Sequence, residues 1–267
     1  MSQENLDDAY ANAAHIPDAD LFPSRWNALA AGFREGMTEQ GQAQLDLPYG
    51  DTPRQRFDLF HPVGTAKGLL VFIHGGYWLR FDKSVWSGFA AGAVQAGWAV
   101  AMPSYDLCPT VSIADITRQI AHMIPVVADM VAGPIIIAGH SAGGHLAARM
   151  CVPGALPETV AQRVVRALPI SPVADLRPLL QTSMNEDFKL DMAAAEAESP
   201  VLMQPWPHIE ISVWVGAEER PAFLEQATAL AEAWECACII DPGKHHFDVI
   251  DGLKDAESRL MALLLKD

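Results

Sequence analysis

Apolar and polar positions along the chain fall into two alternating kinds of segment. Short apolar runs read "GLLVFIHGG" from Gly68, "GWAVAMP" from Gly97, "PIIIAGHS" from Pro134, "VVRALPIS" from Val164, "IEISVWVG" from Ile209 and "CACIID" from Cys236. Runs that are apolar on both faces predict strands buried on both sides, as in a mostly parallel sheet with helices on both faces. Longer stretches of helical period separate them. Residues 82–96 carry Val85, Trp86, Phe89, Ala93 and Val94 near a 3.6-residue repeat, with Asp82 placed to cap the first turn. Residues 113–131, with a kink expected at Pro125, and residues 142–150, 221–234 and 249–265 complete the predicted helices. Upstream, "AQLDLPYG" and "RQRFDLFHP" alternate in polarity across turn residues, which predicts an antiparallel pair at the sheet's edge. The fold class that follows is α/β, with a mostly parallel central sheet.

Two stretches depart from the alternation. Residues 1–40 read as helical, ending near "SRWNALAAGFREGM", and three roles are open to them: covering a pocket, mediating a homodimer, or packing on the core. Residues from about 175 to 207 are rich in Met, Pro and Leu and follow a strand in the C-terminal half. An excursion that long tends to be functional, so a small helical cap over a site is expected there.

Composition narrows the class. Half of the 267 residues are hydrophobic, enough for one continuous core, and a single domain over residues 1–267 is expected. The formal net charge of -15 argues against nucleic acid and against an anionic membrane surface as partners. "MSQENLDDAYANAAH" lacks the basic start and apolar run of a secretory leader, and no apolar stretch approaches the roughly 18 residues that span a bilayer. Cys108, Cys151, Cys236 and Cys238 have neither redox-motif nor zinc-site spacing, and H-E-x-x-H is missing. The expectation is a cytoplasmic protein without a metal or other cofactor.

One stretch then carries chemistry. "IAGHSAGGHL", residues 137–146, places Ser141 between Gly139 and Gly143 where a buried strand turns into a helix. A tight turn alone would also ask for glycine there. A serine hydroxyl is a poor nucleophile near neutral pH, so catalysis would need a base, an acid to orient it, and donors for the developing oxyanion. In a parallel sheet these come from loops at the C-terminal ends of several strands. "DPGKHHFDVI" offers His245 and His246 after the last strand; His246 is preferred, because a helix is predicted to begin there, with Asp248 in its first turn. "VWVGAEERPAFLEQ" offers Glu218 and Glu219 at a strand end between serine and histidine, with Glu219 preferred. "FIHGGYW" ends an early strand in His74-Gly75-Gly76, where the amides of Gly75 and Gly76 could join that of Ala142, the residue after the serine. His74 and His140 read as packing residues of these turns. Tyr77, Trp78, Leu107 and Trp206 are candidate substrate-pocket walls, set against the alternative that they are core residues. The chain order Ser, acid, His, with HGG upstream, is that of the α/β-hydrolase arrangement.

"HGGYW", "GHSAGGH", "VGAEERPAF" and "HHFDVI", together with "YDLCP" and the N-terminal "YANAAHIP" and "SRW", resemble the arylformamidase (kynurenine formamidase) branch of the α/β-hydrolases. The resemblance is spread over most of the chain. It implies Ser141 as nucleophile, His246 as base, and Gly75, Gly76 and Ala142 as oxyanion donors. It favours Glu219 as the acid, at a position where family members usually carry aspartate before P-x-F. The implied substrate is a small acyl ester or formamide of the N-formylkynurenine type, cleaved without a cofactor. The alternatives are a broad short-chain carboxylesterase or thioesterase with the same residues, a non-catalytic ligand-binding homologue, and a metal-dependent formamidase.

Overall fold

The computed structural model describes residues 3–266. Among these, eight strands form one sheet: β1 (Ala43–Pro48), β2 (Arg56–Phe60), β3 (Leu69–Ile73), β4 (Ala99–Pro103), β5 (Ile135–His140), β6 (Val164–Ile170), β7 (Glu210–Gly216) and β8 (Ala237–Asp241). Their spatial order is β1-β2-β4-β3-β5-β6-β7-β8. The β1–β2 and β2–β4 pairs are antiparallel, and every pairing from β4 onward is parallel. All six apolar runs are strands, and the two alternating segments form the antiparallel edge.

The period-2 geometry of the strands divides the core into two layers. Leu69, Val71 and Ile73 of β3 enter one cluster, and Leu70 and Phe72 enter the other. The first layer is covered by α1 (Gln3–Tyr10), α4 (Ile113–Met130), α5 (Ala142–Arg149) and α9 (Pro221–Ala233), and the second by α2 (Phe22–Glu39), α3 (Ala91–Gln95) and α10 (Arg259–Leu264). Helix α4 shows how sequence makes such an element. Ser112 and Asp115 form a reciprocal capping box, and Ile113, Ile116, Ile120, Ile124 and Val127 are all buried on one side. The helix runs unbroken through Pro125.

Two predicted helices break. Over residues 82–96 the chain makes two tight turns, Lys83–Val85 and Ser87–Ala90, before the short α3. Asp82 caps the first as expected, accepting from the Ser84 N–H at 2.7 Å. Gly88 then packs so closely on α2 that a Cβ there would sit 2.4 Å from Leu29 Cγ. The other break falls in 249–265. Ser258 accepts the Met261 N–H and donates to the Gly252 carbonyl, so α10 starts afresh after the turn Asp251–Lys254.

The stretch from 175 to 207 contains the short helices α7 (Asn185–Phe188) and α8 (Met192–Ala197), while α6 (Glu158–Ala161) precedes β6. This stretch is anchored to the body rather than free above it. Leu176, Leu179 and Phe188 are buried, and Glu198 binds Arg149 of α5 and Thr117 of α4. No helix among the described residues is long and apolar enough to cross a membrane.

Candidate active site

Strand order decides which loops meet. Because β3, β5, β6, β7 and β8 are neighbours and parallel, the segments leaving their C-terminal ends converge at one edge of the sheet. Those segments carry Gly75 and Gly76, Ser141, Ser171, Glu219 and His246.

Ser141 sits between β5 and α5 with φ 57° and ψ −117°, a strained conformation for a residue with a side chain. The surrounding structure holds it there. Its N–H donates to the Ile170 carbonyl at 2.8 Å, and its carbonyl accepts from His145 N–H at 3.0 Å. The neighbouring glycines permit the close approach: a Cβ on Gly143 would lie 2.0 Å from the Ile73 carbonyl oxygen, and one on Gly139 would lie 2.1 Å from that of Gly143. Ala142 N–H is the first amide of α5 and has no partner within the helix. Gly75 faces this turn, since a Cβ there would meet Ser141 Cβ at 3.1 Å.

Glu219 and His246 form a buried pair. His246 Nδ1 lies 2.6 Å from Glu219 Oε2, and their side chains are 4% and 0% exposed. The other carboxylate oxygen accepts from Gly216 N–H at 2.9 Å and from the Ser171 hydroxyl. A carboxylate only accepts, so Nδ1 carries the proton and Nε2 is the free nitrogen. Glu218 is exposed beside this pair. His245 turns away as well, bonding Asp248 and packing on Phe22. Asp248 does not open a helix; it accepts from His245 N–H at 2.8 Å and closes a turn.

The histidines on either side of the serine support it. The His140 ring packs against that of His246 with centroids 4.6 Å apart and the planes tilted by 42°, and its Nε2 donates to the His246 carbonyl at 2.9 Å. Burial, with a contribution from the nearby His246, holds the His140 ring well below the usual histidine pKa. Burial pushes His74 and His145 down to about 4. His74 donates from Nδ1 to the Gly75 carbonyl at 2.7 Å, and His145 donates from Nε2 to the Glu198 carbonyl at 2.7 Å. Ser171 was not among the residues predicted from sequence. Its position at the end of β6, one of the converging strands, was the available signal.

Ser141, His140 and His246 open onto a cavity of about 1070 Å³. Much of its wall comes from the N-terminal segment, including Tyr10, Asn12, Ile16 and Trp26. This segment is tied down by Tyr77 Oη donating to the Tyr10 carbonyl at 2.6 Å, Asn12 Nδ2 donating to Tyr77 Oη at 2.9 Å, and an Arg220–Asp8 ion pair. From the 175–207 stretch, Ser183 and Met184 reach the cavity. Residues 3–26 therefore supply more of the cover than the predicted cap does.

Of the four predicted wall residues, Tyr77 lines the cavity. The other three are corrections. Trp78 is fully buried beneath the loop, edge-on to His145 and Phe188. Leu107 packs against the core outside the cavity. Trp206 lies beside His208, with its backbone N–H donating to the Cys151 carbonyl at 2.9 Å. The aromatic wall is instead built from Trp26, Phe81, Trp86 and Phe247, with Trp26 and Trp86 only 4.8 Å apart.

Comparison with known proteins places this arrangement in a family. Residues 70–261 match the alpha/beta hydrolase family. A kynurenine formamidase of Salmo salar is 29% identical, covering 92% of this chain and 89% of its own. One of Drosophila melanogaster is 30% identical, over 82% and 79%. The crystal structure of a candidate thioesterase from a Silicibacter species shares 56% identity and a TM-score of 0.95, covering 97% of this chain and 98% of its own. The chain thus belongs to the alpha/beta hydrolase family, as an arylformamidase-like hydrolase of the formamidase and esterase kind.

Proposed function

We propose that this protein is a serine-dependent hydrolase that cleaves small acyl or formyl groups from esters and amides of the N-formylkynurenine type. The observation that carries the reading is the buried Glu219–His246 hydrogen bond, which leaves His246 Nε2 free at the wall of the cavity that holds Ser141. In this reading His246 Nε2 takes the hydroxyl proton as Ser141 Oγ bonds to the acyl carbon. The carbonyl π-electrons move onto oxygen, where the amides of Ala142, Gly75 and Gly76 receive the charge. The tetrahedral intermediate expels the amine or alcohol, which takes the proton from His246. Water, deprotonated by the same nitrogen, then releases the acid and restores Ser141. Glu219 holds the imidazole in the required tautomer throughout and offsets its transient positive charge.

The wall carries Asp7, Asp18 and Asp20 against one guanidinium, Arg80. That balance disfavours a polyphosphate-bearing thioester leaving group and favours a neutral or zwitterionic one. The decisive comparison is kcat/KM for N-formylkynurenine against p-nitrophenyl acetate, with Ser141→Ala as the blank. A formamide value at or above about 10⁴ M⁻¹ s⁻¹, in the range of committed enzymes, is expected. Turnover of the activated ester alone would support the broad-esterase reading. Undiminished activity in Ser141→Ala would remove the serine mechanism.

A further inference from the structure

The loop that follows β3 has an unusual backbone. Gly76 has φ 117°, and three residues with side chains, Tyr77, Trp78 and Phe81, have φ of 55°, 56° and 71°. Such conformations persist only when surrounding contacts over-determine them. Several do so here: Leu79 and Arg80 N–H return to the Gly76 carbonyl, Cys108 N–H donates to the Trp78 carbonyl, and Tyr77 is tied to the N-terminal segment.

The remaining tie comes from across the molecule. Arg54 lies in the turn between β1 and β2, on the antiparallel edge, and does not line the cavity. Its Nε donates to the Tyr105 carbonyl at 2.7 Å, and its Nη2 donates to the Phe81 carbonyl. Tyr105 is fully buried, stacks on His74 at 4.4 Å, and donates its hydroxyl to the His74 carbonyl at 2.8 Å. One planar guanidinium thus grips the far end of the strained loop directly and its near end through Tyr105 and His74.

We propose that Arg54 is a positioning residue for the oxyanion donors: it holds the Gly75–Gly76 amides in place by clamping both ends of the loop. This rests on the serine-hydrolase reading of the site. A fork of rigid donors suits the task, whereas a lysine ammonium would reach one carbonyl well and the other poorly.

The test uses Arg54→Met, which keeps an apolar stem and removes both donors. Active sites are counted by titration with a fluorophosphonate, so that kcat on p-nitrophenyl acetate is expressed per reactive serine. A fall in kcat of about 10- to 100-fold is expected, in line with weakened oxyanion donors, with KM within about twofold. Arg54→Lys recovers part of the loss. The pH profile of kcat/KM keeps its shape, because the Glu219–His246 pair is untouched, and amide exchange across residues 76–81 accelerates. An arginine that merely stabilises the fold would lower the melting temperature and the titrated fraction while leaving kcat per titrated site intact; that result overturns the proposal. Wild-type protein that takes up no label at Ser141 would instead remove the underlying reading, and the proposal with it.

Discussion

At the scale of single residues, the site is governed by which atoms can donate. Glu219 Oε1 receives two donors, Gly216 N–H and the Ser171 hydroxyl, so this position must remain an oxygen. Glu219→Gln therefore points its amide nitrogen at His246 Nδ1, which must then accept, and the proton moves to Nε2, the nitrogen that the proposed mechanism uses as base. If the proposed mechanism holds, a fall in kcat of roughly 10³- to 10⁴-fold is expected with the fold intact, as for the wrong tautomer in Ser-His-Asp proteases. Steady-state kinetics alongside circular dichroism checks it; a loss below tenfold would show that the carboxylate does not set the tautomer. Local pattern carried only a preference for Glu219 over Glu218, because adjacent glutamates before a helix look alike. Burial separates them, one exposed and the other sealed against His246.

At the scale of elements, a buried ion cluster joins parts distant in sequence. Asp58 of β2, fully buried, binds Arg34 of α2 and lies 2.9 Å from Lys83 Nζ, itself 6% exposed. Its second role is to accept the Asp46 N–H at 2.9 Å, where β1 bulges. Asp58→Asn leaves Lys83 and Arg34 partly unpaired in a low-dielectric setting, and unfolding in urea is expected to show a loss of about 3–5 kcal/mol at unchanged m-value. A loss under about 1 kcal/mol would mean that Asp46, also bound to Lys83, suffices. The same distance in sequence explains the elements that pattern missed. Trp26 fell in a stretch read only as helical, and Trp86 in the apolar repeat of residues 82–96. Their contact, which builds the cavity wall, depends on how α2 docks beside the turns after β3.

At the scale of the whole molecule, the interior holds several neutral imidazoles. His74 and His145, with folded pKa values of about 4 against an ordinary 6.5, bind protons more weakly than they would in the unfolded chain. The stability they contribute is therefore complete above pH 6.5 and is lost as pH falls toward 4, at about 1.4 kcal/mol per pH unit for each ring. His140, held well below its usual value by burial, adds in the same direction. Thermal unfolding at pH 7.5 and pH 5 should show the acidic sample melting several degrees lower, and a flat profile would contradict the burial of these rings. Hydrophobic period and glycine-bounded turns act over a few neighbouring residues, so the strands, their parallel class and the antiparallel edge were legible in the sequence, and so were the candidate residues of the proposed site. The assembled fold, by contrast, brings Ser171 to Glu219, leaves Trp78, Leu107 and Trp206 outside the cavity wall, and lays residues 3–26 over it. Those outcomes depend on the order of strands in the sheet and on contacts between residues far apart in the chain, which local periodicity does not encode.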